Sequence, residues 1–341
     1  MTTMRKPRLL SGMQPTGPIH LGRLEGALRQ WVNIQNDGSY DMFCFVADWH
    51  SYTTRFKNPE EIASNARMLV VDYMSVGLDP EKTTIFLQSD VKQHAELHLL
   101  FSMITPVGWL ERQPTYKDKI ATLEQKYSEE NVAEYISYGL LGYPVLQAAD
   151  ILIYKAELVP VGKDQAPHLE IAREIARRFN HIYREIFPEP QALIREDTGT
   201  LPGIDRRKMS SSYGNAIYIR DTAQEVVAKV NQMITTETKL RKTDPGVPEN
   251  CVVCQLRKIY DPENYRTSWE ECRQGLRGCT QNKKELAEIL NAMLDPIRRR
   301  REELERNPDY VDEVLRKGAE RARAVAEETM REVRLAMCLR P

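Results

Sequence analysis

Met42-Phe-Cys-Phe-Val-Ala47 is an unbroken apolar run. A strand that is apolar at consecutive positions shows neither face to water, so it belongs inside a sheet covered on both sides. Arg8 to Gly12 and Thr83 to Leu87 are further strand candidates on either side of it in the chain. Between the first two, Leu24, Ala27, Leu28, Trp31 and Val32 recur at helical spacing and predict a helix from about Leu21 to Gln35. Asn58-Pro59-Glu60-Glu61 reads as a second helix start, with Asn as N-cap, Pro in the first position and Glu at N3; that helix should end near Gly77. Strands alternating with helices in this way predict a parallel α/β sheet.

Downstream, Tyr143 to Lys155 has a helical pattern with Pro144 near its start, Val159 to Val161 is a short strand candidate, and His168 to Asn180 is amphipathic. Leu201 to Asn215, rich in Gly, Ser and basic residues, reads as a mobile loop. From Lys283 to Met337 nearly everything is helical, with interruptions expected at Asp295-Pro296 and Asn307-Pro308. At about 150 residues per domain, 341 residues allow two or three domains, here an α/β part followed by a helical part. With 41% hydrophobic and 28% charged residues the chain is globular, which excludes a disordered chain, a fibre and a disulfide mini-scaffold. The net charge of −1 means that a nucleic-acid partner must be met by a local patch. No apolar stretch approaches the ~20 residues that span a bilayer, and no signal-like segment follows the basic start Met1 to Arg8, so the expectation is a cytoplasmic protein without membrane contact.

Two loops carry candidate chemistry. Gly17-Pro-Ile-His20-Leu-Gly22 sits between the first strand and its helix, where glycines admit a nucleotide to the backbone and a helix N-terminus favours phosphate. It matches neither the dinucleotide fingerprint nor the P-loop. Alone it is either a plain turn with a solvent-facing histidine or a site where His20 donates to a phosphoryl oxygen as charge develops. Arg206-Arg-Lys208-Met-Ser-Ser-Ser212 is either a solvated basic loop or one that brings Lys208 onto a polyphosphate. A third signal is a polar stripe: Tyr143, Gln147, Asp150 and Tyr154 share one helix face, which either lines a cavity or faces solvent.

Taken together, the two loops resemble the class I aminoacyl-tRNA synthetases, whose His-x-Gly-His turn and Lys-Met-Ser-Lys-Ser loop flank ATP. Arg23 replaces the usual His or Asn, and Ser211 replaces the second lysine. Gly12-Met-Gln-Pro-Thr-Gly17, Tyr143-Pro-Val-Leu-Gln-Ala-Ala-Asp150 and Val159-Pro-Val-Gly-Lys-Asp-Gln165 narrow the resemblance to the tryptophanyl-tRNA synthetase family. The resemblance implies a Rossmann-like catalytic domain (1–216) and a helical anticodon-binding domain (217–341). It implies activation of L-tryptophan with Mg-ATP and transfer to tRNA(Trp) by a homodimer, with a non-charging paralogue as the alternative. His20 and Lys208 are then the catalytic pair. Gln14, Pro15, Thr16, Gly22, Arg23, Gly162, Asp164, Met209, Ser210, Ser211 and Ser212 join Lys208 at ATP. Tyr143, Gln147 and Gln165 hold the polar end of tryptophan and Asp150 accepts its indole N–H. A buried acceptor suits that role, since left unpaired it rejects side chains lacking the donor.

Cys251, Cys254, Cys272 and Cys279 fall close together, enough thiols for zinc or an iron–sulfur cluster. Some members of the resembled family bind a [4Fe–4S] cluster here, and three of these cysteines resemble ligands, but the fourth position falls on Asn282. Free thiols are the alternative. His50 in Val46-Ala-Asp-Trp-His50 follows the second strand and is either a pocket wall or a structural histidine. His94-Ala-Glu-Leu-His98 lacks the H-E-x-x-H order and reads as an ordinary helix face. Arg298 to Arg301 reads as a solvated face partly offset by nearby glutamates.

Overall fold

The computed structural model describes residues 5–126, 128–162, 166–194, 200–236 and 239–340. Its centre is a parallel sheet of β1 (Arg8–Met13), β2 (Asp41–Val46), β3 (Thr83–Leu87), β4 (Leu158–Val161) and β5 (Gln191–Ile194), in the order β3-β2-β1-β4-β5. The chain moves outward from β1 through β2 to β3, then returns to pair β4 on the other side of β1. Such a reversal opens a crevice beyond the carboxyl ends of the two central strands. The strand β5 gave no apolar run to read, because its end residues are exposed at the sheet edge.

Alternation along each strand divides the core in two. Leu9, Met42, Cys44, Val46 and Ile85 point to one face and pack with Leu28, Trp31, Leu69 and Tyr73 from the two crossover helices, and with Leu290 beyond them. Leu10, Phe43, Phe45 and Phe86 point to the other, against Phe101, Ala148, Ile151, Ile175 and Phe179. Both faces of β2 are therefore buried, as its unbroken apolar run requires.

The crossover after β1 is helical over Leu21–Arg23 and Arg29–Asp37, with a π-helical turn over Leu24–Leu28 between them. The helix Pro59–Ser75 starts at the expected Pro, although Asn58 makes no side-chain cap. Two prolines are handled differently from expectation. The helix Tyr138–Ile153 begins before Pro144, because Ser137 caps it by accepting from the Leu140 N–H at 3.2 Å. The helix Cys279–Glu305 runs straight through Pro296, whose lost bond frees the carbonyl of Ala292 on an exposed side where water can reach it. Asn131–Ile153 is long and apolar enough to cross a membrane by composition, contrary to the sequence reading; 61% of that window is buried inside the protein, as in a core helix.

The last helix, Pro308–Ala336, returns to the sheet and lies along β3, covering the sheet edge. Val311 and Val314 enter the first core, and Ala319, Ala322, Ala326, Met330 and Val333 the second. Leu201 to Asn215, expected as a mobile loop, is a tied turn. Gly203 N–H donates to Arg207 O at 2.7 Å, Met209 N–H to Leu201 O at 2.8 Å, and Pro202 pairs with Lys208.

Candidate active site

A cavity of about 530 Å³ opens at the carboxyl ends of β1 and β4, a volume in the range of small-molecule sites. Gln14 and Gly162 line it from the strand ends, and Tyr143, Gln147 and Asp150 from the helix Tyr138–Ile153. The π-helical turn contributes Gly26 and Ala27 to the opposite wall. Three of the four residues on the polar stripe thus face one cavity. The fourth, Tyr154, is fully buried away from it, stacked on Phe43 with ring centroids 4.9 Å apart.

Asp150 is almost wholly buried and accepts three hydrogen bonds. Gln88 Nε2 (2.7 Å) and His94 Nδ1 (2.6 Å) meet Oδ1, and His50 Nε2 (2.8 Å) meets Oδ2. Burial alone raises its pKa, but the bonds from the two histidines outweigh this and hold it at about 2, so the carboxylate is ionised. A carboxylate has about four lone-pair sites, so at least one remains to face the cavity. His50 proves to be both wall and support, lining the cavity while fixing Asp150. His94 corrects the reading of an ordinary helix face: it is fully buried, and its Nε2 meets the Tyr154 hydroxyl at 2.7 Å. Its readable signal was position, because it follows the end of β3 within a few residues, as His50 follows β2, on the side where ligands gather.

Tyr143 donates its hydroxyl to Thr115 Oγ1 at 2.7 Å, and Lys119 Nζ lies 3.4 Å from the centre of its ring. Lys119 lines the cavity, and burial lowers its pKa to about 8. Sequence reasoning missed it, since one lysine in the charged helix Pro114–Lys126 carries no distinguishing mark.

The two basic loops meet beside this cavity. Leu21 N–H donates to Ile217 O and Ile219 N–H to Ile19 O, both at 2.9 Å, pairing the His20 turn with the strand-like stretch that follows the serines. Gly22 lies against Met209; a Cβ there would sit 3.0 Å from His20 Nδ1 and 3.6 Å from the Met209 Cβ. His20 caps its helix, Nδ1 accepting from the Arg23 N–H at 3.3 Å. Burial, then the charges of Arg23 and Lys208, lower its pKa to about 4. The imidazole is therefore neutral at pH 7, and with Nδ1 accepting, its proton sits on Nε2, which is left as a donor. Arg23 reaches back to Thr16 Oγ1, and Thr16 N–H closes on Gln14 O at 2.9 Å around Pro15.

Lys208 is exposed while Met209 beside it is buried, so the core holds the loop by its methionine. Ser210 accepts from the Ser212 N–H, and Ser211 and Ser212 open a 3₁₀ turn with exposed side chains. Asn215 ties the loop, accepting from Ser210 N–H at 2.8 Å and donating to Asp205 Oδ1 at 2.7 Å and to Lys208 O at 3.1 Å. Asp164 and Gln165 lie outside the described residues.

The cysteines gather around the helix Val252–Tyr260. The Cys254 thiol lies within hydrogen-bond reach of Cys251 and Cys272, which keeps its own proton on and favours thiolate on those two. Cys279, half-buried, is close enough to feel both charges. Asn282, at the fourth position, donates Nδ2 to Cys254 Sγ at 3.4 Å and accepts from Arg257 at 2.9 Å. Among the described residues no three His, Cys, Asp or Glu side chains are set to hold a metal ion. Cys251, Cys254, Cys272 and Cys279 thus do not fit the zinc or four-thiolate cluster expected of them: Cys254 bonds to Cys251 and Cys272, Cys279 turns to Thr235 instead, and an amide occupies the fourth place.

This sheet order, with a histidine turn and a lysine–serine loop paired beside the β1/β4 crevice, defines the catalytic half of a class I aminoacyl-tRNA synthetase. Residues 2–295 match the model of the tRNA synthetases class I (W and Y). Tryptophan–tRNA ligase of Thermotoga maritima is 47% identical over 97% of this chain and 99% of that protein; the Aquifex aeolicus ligase is 43% identical over 97% and 100%. The crystal structure of Campylobacter jejuni tryptophanyl-tRNA synthetase, complexed with ADP and tryptophan, superposes with a TM-score of 0.87 at 36% identity, covering 97% of this chain and 100% of that one. The chain belongs to the tryptophanyl-tRNA synthetase family.

Proposed function

We propose that the chain is a tryptophan–tRNA ligase, which activates L-tryptophan with ATP and transfers it to tRNA(Trp). The observation that carries this reading is Asp150, an ionised acceptor buried at the cavity wall with a lone pair left for an indole N–H. An alkyl side chain presents no donor and so leaves that last lone pair of the buried carboxylate unmet.

Tyr143 and Gln147 orient the polar end of tryptophan, with Gln165 assigned there by resemblance. The tryptophan carboxylate attacks the α-phosphorus, the bond to the bridging oxygen breaks, and pyrophosphate leaves. Neutral His20 donates from Nε2 to a phosphoryl oxygen, while Lys208 and Lys119 face the negative charge of the leaving group. Gln14, Pro15, Thr16, Gly22, Arg23, Gly162, Asp164, Met209 and Ser210 to Ser212 surround ATP in this reading, and magnesium enters with ATP as part of the substrate. In the second step a hydroxyl of the terminal ribose attacks the adenylate carbonyl and AMP leaves. Residues 217–341 provide the tRNA anticodon contact, except where the last helix is committed to the sheet edge. A homodimer is supported by exposed Leu99, Met103 and Val107, from the helix Gln93–Ser102, its C-cap and the start of the next helix, Val107–Glu111. The role suits the cytoplasm, where ATP and tRNA meet.

ATP–pyrophosphate exchange with tryptophan and tyrosine in parallel tests the reading. Exchange with tryptophan alone supports it. Tryptophan binding without exchange points instead to a non-charging protein, with Arg23 and Ser211 as the departures to revert.

A further inference from the structure

Two contacts at one carboxylate tie the His20 turn to Arg301, which lies 229 residues beyond that carboxylate in the chain. Asp72, in the helix Pro59–Ser75, is fully buried. Its Oδ2 faces the Ile19 N–H at 3.5 Å, one residue before His20, and its Oδ1 accepts from Arg301 Nε at 2.9 Å. Arg301 belongs to the helix Cys279–Glu305 and also holds Glu305. Two residues of the run read as a solvated basic face are therefore anchors: Arg298 donates to Asp221 O at 2.7 Å, at the end of the stretch that pairs with the His20 turn.

The neighbouring Tyr73 points the same way, donating to Phe45 O at 3.3 Å and packing on Trp31, which lines the cavity. A buried carboxylate without a cation is costly, and nothing in the hydrophobic packing of this helix needs one. Its neighbours explain it. The Ile19 N–H precedes the helix whose first turn His20 caps, so it has no partner in that helix, and Asp72 is the acceptor placed opposite it.

We propose that Asp72 is a positioning residue for adenylate formation: with Arg301 as its counter-charge, it sets the His20 turn, and through that turn the Nε2–H aimed at phosphate. The inference rests on the role assigned to His20. Arg301 thereby makes the catalytic geometry depend on the seating of the helix Cys279–Glu305 against Pro59–Ser75, since its guanidinium is the one ion-paired to Asp72. Asp72 does not touch substrate; it acts on the turn that does.

The test is a set of variants of the full chain, assayed by tryptophan-dependent pyrophosphate exchange. Asp72→Asn and Arg301→Met should each lower kcat about ten-fold, with KM for tryptophan within two-fold of the parent, because the tryptophan pocket lies on other elements. Arg301→Lys should retain most of the rate. The deciding measurement is non-additivity: in a His20→Asn background, Arg301→Met should cost less than about two-fold more, because the turn no longer carries its donor. If Asp72→Asn does not fold, the Arg301 pair and its double variant give the same readout. A full ten-fold loss in both backgrounds overturns the inference, as does an equal rise in KM for tryptophan. No effect of His20→Asn alone would instead overturn the role of His20, so the two failures are distinguishable.

Discussion

At the scale of single residues, the site works by fixing protonation states. Asp150→Asn removes the charge and sets an amide N–H₂ against histidines that already donate. Tryptophan kcat/KM should fall about 100-fold with KM for ATP unchanged, the cost of roughly 2–3 kcal/mol expected for an unpaired buried polar group. Equal losses toward both substrates in steady-state assays would count against Asp150 as the indole acceptor. His20, with its pKa lowered to about 4 by burial and by Arg23 and Lys208, gains a charge only as pH falls toward 4. The exchange rate between pH 6 and 8 should then show no limb that disappears in His20→Asn; such a limb near 6.5 would refute a neutral donor. Lys119 has the opposite behaviour in the working range. Burial lowers its pKa to about 8, so it is charged below that and loses attraction for phosphate as pH rises through it. A fall in rate above pH 8 is expected, moved beyond pH 10 in Lys119→Arg, since arginine does not deprotonate there. Of these three groups, Asp150 and His20 were legible in the sequence because spacing and turn context marked them. Lys119 was not, because only the folded helix shows which lysine turns inward.

At the scale of elements, the lysine–serine turn is a small structure of its own, held by Asn215 and by Met209 in the core. Its glycines and serines suggested mobility, but side-chain bonds to backbone replace a ladder here, and composition does not reveal them. Asn215→Ala leaves Ser210 N–H, Asp205 and the Lys208 carbonyl without that partner. Urea denaturation should show a loss of about 1–3 kcal/mol, and KM for ATP should rise several-fold while tryptophan binding is kept. Lost stability with an unchanged KM for ATP would separate the turn from ATP binding. The same distinction between local pattern and context explains Pro144 and Pro296. A proline near an expected boundary looks like a boundary, yet a capping serine upstream or a solvated carbonyl lets the helix continue.

At the scale of the whole molecule, the helical C-terminal part is seated on the sheet rather than simply appended to it. A Cβ on Gly318 would meet the Ile85 carbonyl oxygen at 1.8 Å, so the last helix touches β3 backbone to backbone. Gly318→Ala, which in an open helix gains about 1 kcal/mol, should here cost about 3 kcal/mol or more by chemical denaturation, with the loss arising from displacement of the helix. A neutral or stabilising result would show that this edge is loosely covered. The sequence by itself determined the parallel α/β class, because an unbroken apolar strand needs two covered faces, and it marked the His20 turn, Lys208 and the Tyr143–Gln147–Asp150 stripe, because periodicity and turn chemistry are local. Only the tertiary structure decided that His50, His94 and Gln88 converge on Asp150, that Arg301 reaches Asp72, and that Cys254 meets Cys251, Cys272 and Asn282. Those contacts join segments tens to hundreds of residues apart, and their partners are chosen by the packing of the helices that carry them, which no local pattern encodes.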